Sequence, residues 1–241
     1  RIYIQTLLAK QFTFDIGIQH KFLDIETETV VSTNEEETAV IFERSNLGGL
    51  YSQLKYDSLD NKYFPNSGVL FDADFDLFLA SSDYNNDFTE FGIANARIKY
   101  AGSIGNIFTA TVEASGGFKV GGADNNSLDF FLGGYGAKKV NNLVPFLGHD
   151  YLSIAGDGYV KALFEIDFEI FPKNHLNLSA NFANVGYDIF DNPDNWLPPA
   201  TFSGYALGYG SETLLGPLRL KYTYSPEVKR SEWFISLGYE F

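Results

Sequence analysis

The stretch Phe164–Phe171 reads Phe-Glu-Ile-Asp-Phe-Glu-Ile-Phe, in which apolar and acidic residues alternate. Successive side chains of a β-strand point to opposite faces of the sheet, so this stretch places its carboxylates on one face and its apolar residues on the other. The same period of two returns at Val69–Leu79, where Asp72, Asp74 and Asp76 interrupt an apolar run. The sequence therefore predicts an all-β protein with long strands.

The alternation recurs from one end of the chain to the other and predicts about twelve strands. Their ranges are 12–25, 37–46, 49–58, 68–81, 89–101, 105–119, 127–136, 159–171, 175–186, 201–213, 216–226 and 232–241. Residues 2–9 alternate only weakly and could form the tail of a thirteenth strand. Polar stretches at 26–37, 137–158 and 187–200 are expected to be loops on the extracellular side.

Two all-β architectures produce such a pattern. A soluble sandwich buries its apolar faces, whereas a membrane barrel turns them toward lipid and encloses the polar faces. The predicted strands, at roughly 10 to 14 residues, exceed the roughly 5–6 usual in soluble sheets and suit a tilted bilayer crossing. Aromatic residues gather near the strand ends, as in interfacial girdles. We therefore predict a single antiparallel transmembrane β-barrel domain, residues 1–241, in the bacterial outer membrane, surrounded by lipid and lipopolysaccharide.

Composition supports this class and excludes others. Aromatic residues make up 17% of the 241 residues and charged residues 20%, while the mean hydropathy of -0.11 is too polar for a helical membrane protein. A formal net charge of -14 repels phosphate backbones, so no nucleic-acid partner is expected. The chain contains no Met, so we do not expect Arg1 to be the translational start.

The polar faces of the predicted strands carry charges of both signs into the interior of the barrel, the lumen. These charges either pair across strands and fix their register, which we favour, or line a cation-selective pore. Glu212 and Arg219 fall nearly opposite one another across the Gly216-Pro217 turn and suit one such pair. The predicted network comprises Asp72, Asp74, Asp76, Arg97, Lys99, Glu165, Asp167, Glu169, Glu212, Arg219 and Lys221.

Few residues suggest other chemistry, and neither a cofactor nor a catalytic group is expected. Asp188, Asp191 and Asp194 could hold Ca²⁺ through oxygen ligands, but they do not follow the EF-hand order, and a solvated loop is the preferred interpretation. His149 and Ser153 lie four residues apart in a predicted loop. They leave open a barrel-embedded lipid hydrolase, although a packing role for His149 is favoured.

The end of the chain and one hairpin resemble known outer-membrane proteins. The last strand looks like the signal that barrel assembly machinery reads, through Trp233, Ile235, Leu237, Tyr239 and Phe241. Residues 56–68, Tyr-Asp-Ser-Leu-Asp-Asn-Lys-Tyr-Phe-Pro-Asn-Ser-Gly, resemble the hairpin signature of the Omp85 superfamily of translocators. A Leu-Gly-Gly strand at 132–134, a long loop and five further strands follow in the order of the second part of a sixteen-stranded Omp85-type barrel.

Further segments look like the barrel of patatin-like phospholipases from Bacteroidetes-type bacteria. They are Gly-Gly-Tyr-Gly at 133–136, Asn-Asn at 141–142, Pro-Phe-Leu-Gly at 145–148, Lys-Asn-His-Leu at 173–176, Ala-Asn-Phe-Ala-Asn at 180–184, Ser-Gly-Tyr-Ala-Leu-Gly-Tyr-Gly at 203–210 and Gly-Pro-Leu-Arg-Leu-Lys-Tyr at 216–222. In that family a patatin hydrolase domain precedes the barrel. This chain has no Gly-x-Ser-x-Gly nucleophile motif, so the resemblance implies no catalysis within these residues.

One departure from the superfamily concerns the long loop. Translocating members carry Arg-Gly-aromatic at its tip, whereas residues 146–151 read Phe-Leu-Gly-His-Asp-Tyr, without an arginine. The resemblance implies a membrane anchor, translocator or scaffold in which the loop at 137–158 folds into the lumen. Other outer-membrane or periplasmic proteins are plausible partners of such a platform. A passive channel with a charged lumen is the alternative.

Overall fold

The computed structural model describes residues 1–24, 44–82, 88–105, 107–121, 128–135, 142–187, 189 and 199–239. Fourteen strands lie within these residues. Their bounds are β1 Ile2–Ala9, β2 Phe12–Asp24, β3 Arg44–Asp57, β4 Ser67–Ser81, β5 Phe91–Ile104, β6 Phe108–Gly121, β7 Phe130–Leu132, β8 Leu143–Val144, β9 Ile154–Gly156, β10 Gly158–Phe171, β11 Asn174–Gly186, β12 Phe202–Thr213, β13 Gly216–Ser225 and β14 Arg230–Leu237. Across the same ranges, no helix is long and apolar enough to cross a membrane.

Eleven of the strands form one antiparallel sheet in which each pairs with the next in the order β1 to β6 and β10 to β14. Most connections at one end of this sheet are tight, and we call it the short-turn end. Its described residues are 10–11, 58–66, 105, 107, 172–173 and 214–215. The described residues at the opposite, long-loop end are 82, 88–90, 128–135, 142–157, 187, 189, 199–201 and 226–229. Tight turns on one side and longer loops on the other are typical of outer-membrane barrels.

The large sheet exposes its apolar face and covers its polar face, which is the reverse of the pattern in soluble β-proteins. On β11, Leu178 is 50% exposed, whereas Asn181 is 1% exposed. On β12, Leu207 is 51% exposed, whereas its neighbour Ala206 is buried. A soluble sandwich would bury the leucines, so an apolar outer face and a covered polar face favour a membrane barrel. The all-β prediction is confirmed.

The structure corrects two of the predicted strands. The ranges 37–46 and 49–58 were predicted as separate strands, but β3 runs without interruption through Gly48 and Gly49, where the ladder with β4 instead shifts its register. Residues 37–43 lie outside the described residues. The predicted strand at 127–136 is also wrong, because among its described residues, 128–135, only Phe130–Leu132 is extended and it pairs in a different sheet. Residues 2–9, by contrast, form β1 and pair with β2, with a register shift between Leu7 and Ala9.

The short strands belong to a segment that we call the loop segment, residues 128–135 and 142–156. Within it β7 pairs in parallel with β8 and antiparallel with β9. Its buried side chains include Leu128, Phe130, Leu132 and Phe146, and they share a core with residues on the polar face of the large sheet. Those sheet residues are Leu23, Leu47, Phe78, Phe91, Ile93, Tyr159 and Ala183.

Candidate functional site

The loop segment packs against the large eleven-stranded sheet, which we call the wall, at two positions occupied by glycine. A Cβ atom placed on Gly117 of β6 would lie 2.7 Å from the Phe130 ring. A Cβ atom on Gly204 of β12 would lie 1.9 Å from the backbone oxygen of Leu147. Leu147 also donates its backbone N–H to Asn181 Oδ1 at 3.0 Å. The glycines therefore make the room in which the segment packs against the polar face.

Buried charges hold the same segment in place. Asp129, which is 1% exposed, forms an ion pair with Lys119 of β6 and accepts a hydrogen bond from the Tyr187 hydroxyl at 3.0 Å. Lys161 of β10 donates to the backbone oxygen of Pro145 at 3.0 Å and lies 3.5 Å from Glu113. A buried ion pair that loses one partner leaves a desolvated charge, so these contacts fix the position of the segment.

His149 lies at the tip of the loop segment and is 2% exposed. Its Nε2 is 3.0 Å from the Ser225 hydroxyl, and that hydroxyl donates to Glu227 at 2.7 Å. The Ser203 hydroxyl donates to the other oxygen of Glu227 at 2.7 Å. Burial lowers the pKa of His149, and the nearby Glu227 charge and a backbone contact with Ser203 offset only part of that effect.

This arrangement does not form a catalytic triad. In a triad the carboxylate contacts the imidazole and leaves the serine hydroxyl free to give its proton to histidine. Here Glu227 accepts from the serine itself, and Ser225 is completely buried. His149 contacts Ser225 rather than Ser153, so the contacts give no support to the His149–Ser153 pair considered for lipid hydrolysis. The side chains act as a packing contact between the loop segment and β13.

The polar face between the two ends carries the charges predicted from the sequence. Lys221 of β13 pairs with Glu165 of β10 and donates to the Ser179 hydroxyl of β11 at 2.9 Å, so these contacts join three strands. Asp167 lies 2.7 Å from His175 Nδ1. The remaining contacts are Asp72 with Arg97 (3.8 Å) and Gln53 (2.8 Å), Asp74 with Asn95 (3.2 Å), Asp76 with Arg1 (3.2 Å) and Lys21 (3.8 Å), and Lys99 opposite Glu113 in the ladder.

Glu212 and Arg219, which were predicted to pair with each other, have other partners. Glu212 lies opposite Pro217 in the ladder and accepts a hydrogen bond from Asn61 at 3.0 Å. Arg219 lies opposite Gly210 and donates to the Ser236 hydroxyl at 3.2 Å. Glu169 accepts from the backbone N–H of Lys173 at 2.8 Å.

A second contact crosses the polar face at the short-turn end. The β3–β4 turn, residues 58–66, places the Phe64 ring parallel to the His175 ring, with centroids 4.3 Å apart. A Cβ atom on Gly210 would lie 2.4 Å from the Phe64 ring. Gly68 closes the turn with φ +118°, and a Cβ atom there would lie 2.3 Å from the Ser58 oxygen, so this position requires glycine.

This fold is shared with known proteins. A family model described as OMP85 superfamily matches residues 1–241. The chain belongs to the Omp85 superfamily. A solved structure of BamA from Haemophilus ducreyi, lacking POTRA domains 1–3, is similar with a TM-score of 0.67 and 13% identity. The match covers 95% of this chain and 50% of that one, so this Omp85 chain spans about half the length of that chain. No curated protein sequence matches it.

These similarities confirm the prediction of an antiparallel β-barrel fold of the Omp85 type. Three residues of the predicted insertion signal, Trp233, Ile235 and Leu237, lie on the outer face of β14, and Tyr239 follows this strand. Trp233, Ile235, Leu237 and Tyr239 are each more than half exposed, and Phe241 lies outside the described residues. Their position fits contact with lipid, while recognition by assembly machinery stays a prediction.

The calcium prediction falls on Asp188, Asp191 and Asp194, which all lie outside the described residues of the Omp85 chain. Among the residues that the structure describes, no cluster of three His, Cys, Asp or Glu side chains could hold a metal ion.

Sequence reasoning missed several residues of the covered polar face in this Omp85 barrel. Phe64 was part of the quoted hairpin, but nothing in its local sequence indicates a contact with His175, 111 positions away. Lys161 and Glu113 alternate with apolar neighbours and could have been assigned to the network by period alone. Ser225 gives no signal, because its role depends on the position of His149.

Proposed function

We propose that the chain is the outer-membrane barrel part of an Omp85-type protein, in which it acts as a membrane anchor, translocator or scaffold without catalysing a reaction. One observation carries this proposal. The polar face is covered from both ends, by the loop segment at the long-loop end and by the β3–β4 turn at the short-turn end. In a barrel the polar face encloses the lumen, so both covers would occlude it.

Contact chemistry supports an occluded lumen over an open channel. The loop segment is held by a buried apolar core and by the Lys119–Asp129 ion pair, not by a few exposed contacts. Lys221 and Glu165 neutralise one another between the covers. An ion crossing the lumen would have to displace these pairs, because a desolvated charge without a partner is costly.

A passive channel is the second candidate, and one observation favours it. Arg97 on the polar face of β5 is 45% exposed although it lies 3.8 Å from Asp72. Solvent therefore reaches this part of the face. A water path along β4 and β5 would pass these charges and select ions by their sign.

Conductance in planar bilayers separates the two candidates. The full chain should show little conductance, and replacing residues 134–152 and residues 59–66 together by Gly-Ser linkers of equal length should open it, whereas replacing 134–152 alone should leave the β3–β4 turn in the lumen. The matched control replaces residues 190–199, also at the long-loop end, together with residues 59–66 by linkers of equal length and should leave conductance low. Large, steady conductance of the unchanged chain would reject occlusion and establish the channel.

The relation to patatin-like proteins is the finer part of the proposal. It is supported by the motifs at 133–136, 145–148, 173–176, 180–184 and 203–210. Intact mass and N-terminal sequencing of the native protein in detergent test it. A native mass well above 26.9 kDa, with a Gly-x-Ser-x-Gly domain on the same polypeptide, would support a fused hydrolase. A native mass of 26.9 kDa would reject the fusion and leave the anchor or scaffold role.

A further inference from the structure

A cavity of about 330 Å³ lies between the tip of the loop segment and the last two strands of the sheet. Aromatic rings form much of its lining, from Tyr135, Phe146, Tyr151 and Phe234. Asp150 and Glu232 are the acidic residues of the lining. Tyr151 is half exposed, so the cavity opens to solvent at the long-loop end. Neither the covered lumen nor the charge network accounts for this combination of rings and carboxylates.

The rings can stabilise a cation. The face of an aromatic ring carries negative electrostatic potential, and ammonium groups bind within about 6 Å of its centroid. One ring of this cavity already does so within the molecule, because Lys221 Nζ lies 4.5 Å from the centroid of Tyr135. Phe234 contacts Tyr135 edge to face at 5.3 Å, which holds the two rings at right angles against the cavity.

The charged side chains around the cavity also favour binding of a cation. Arg230 lies 3.6 Å from Asp150, and both side chains are mostly exposed, so these two charges offset one another. Lys221 is paired with Glu165. Among the residues that the structure describes, Glu232 is half-buried and forms no ion pair within 4.0 Å. Among the described residues, the two carboxylates thus share one cation, Arg230, which also acts electrostatically on Glu232. A half-buried carboxylate in such a cavity gains from a bound cation.

We propose that this cavity binds a primary alkylammonium group of the kind that a lysine side chain presents. The ammonium lies beside Glu232, and the methylene stem lies along the rings of Phe234, Phe146 and Tyr151. A carboxylate or phosphate ligand is repelled by Asp150 and Glu232. A neutral ligand of the same shape gains the apolar contacts but leaves Glu232 without its counter-charge.

Isothermal titration of the full chain in detergent micelles tests the proposal. The probe is N-acetyl-lysine methylamide, and its matched control is the same molecule acetylated on the side-chain nitrogen. The unchanged protein should bind the first and should bind the second at least tenfold more weakly, since one charge-assisted hydrogen bond is lost. This comparison needs no variant, so it does not depend on the folding of any substitution.

Two substitutions locate the binding. Glu232→Gln should weaken binding of the lysine probe about tenfold, whereas Glu212→Gln at the short-turn end should leave it unchanged. Phe234→Leu keeps the apolar volume but removes a ring face, and it should weaken binding about threefold. Equal binding of the charged and acetylated probes, or equal binding by the two Gln variants, would overturn the proposal. Conductance plays no part in these readouts, so failure here is separate from failure of the proposed occlusion.

Discussion

The two covers of the polar face are built differently. The loop segment at the long-loop end has its own three-stranded sheet and a buried apolar core that it shares with the wall. The β3–β4 turn at the short-turn end contacts the opposite strands through the buried Phe64 ring, through Tyr63 beside Tyr239 and Arg219, and through the Asn61–Glu212 hydrogen bond. One cover is thus part of the folded core, whereas the other is a local contact that opens at a lower free-energy cost.

The largest expected effect comes from removing the central ring of the loop segment. Phe130 is fully buried, so Phe130→Ala should reduce the free energy that holds the segment by about 3–5 kcal/mol. Hydrogen exchange of the backbone amides in β7 and in residues 142–149 measures the loss. The control is Phe75→Ala on the outer face, where Phe75 is 40% exposed. Unchanged exchange in the Phe130 variant would show that the loop segment is not held by its core.

A smaller effect is expected at the turn. Phe64→Ala removes a buried ring and its stack on His175, and it should weaken the turn by about 2–3 kcal/mol. Phe64→Leu keeps most of the apolar burial and should cost about 1 kcal/mol. The rate of proteolysis within residues 58–66 measures both. Exchange in the loop segment should stay unchanged, and a parallel loss there would mean that the two covers open together.

Acidification should loosen the loop segment at its tip. Burial lowers the pKa of His149, so the released segment binds more protons than the packed one below the ordinary histidine pKa of about 6.5. Neutral His149 thus stabilises the packed loop segment above that pH, and this stabilisation is lost as the pH falls below it. Hydrogen exchange in residues 142–151, compared at about pH 7.5 and about pH 5.5, should show the change. His149→Gln should remove this pH dependence, and persistence of the dependence in that variant would assign it to another group.

The smallest effect is expected for the Arg230–Asp150 pair. Both side chains are mostly exposed, and exposed ion pairs typically contribute about 0–1 kcal/mol because solvent screens them. Asp150→Asn should shift the urea unfolding midpoint in detergent by an amount close to experimental error. A loss comparable to that of Phe64→Ala would show that this surface pair, and not the apolar core, seats the tip of the segment.

The alternation of apolar and polar residues predicted most strands of the large sheet, because this alternation is a local property of each strand. Glu165 and Asp167, for example, lie on the polar face as their spacing requires. The same reasoning failed at 127–136, where the alternation of Phe130 and Leu132 is that of a strand but the partners belong to the loop segment. Alternation indicates an extended chain and does not specify which strand it joins.

The contacts of the covers could not be predicted for a related reason. Phe64 with His175 and His149 with Ser225 join residues far apart in the sequence, and each contact depends on how the intervening strands are arranged in space. Their only sequence signal is indirect. Gly204 and Gly210 are small residues at inward positions of β12, and they indicate that something approaches the wall without identifying it.

β12 has an inward column of Gly204, Ala206, Gly208 and Gly210. Leu147 rests on the first of these residues and Phe64 on the last, while the Asn177 side chain fills the space over Gly208. Both covers therefore pack against the same strand, β12. In a saturation mutagenesis screen, these four positions should tolerate little larger than alanine, while the outward positions Tyr205 and Leu207 should accept most apolar residues. Selection on the loop segment would therefore restrict Gly204, and selection on the β3–β4 turn would restrict Gly210 of the same strand.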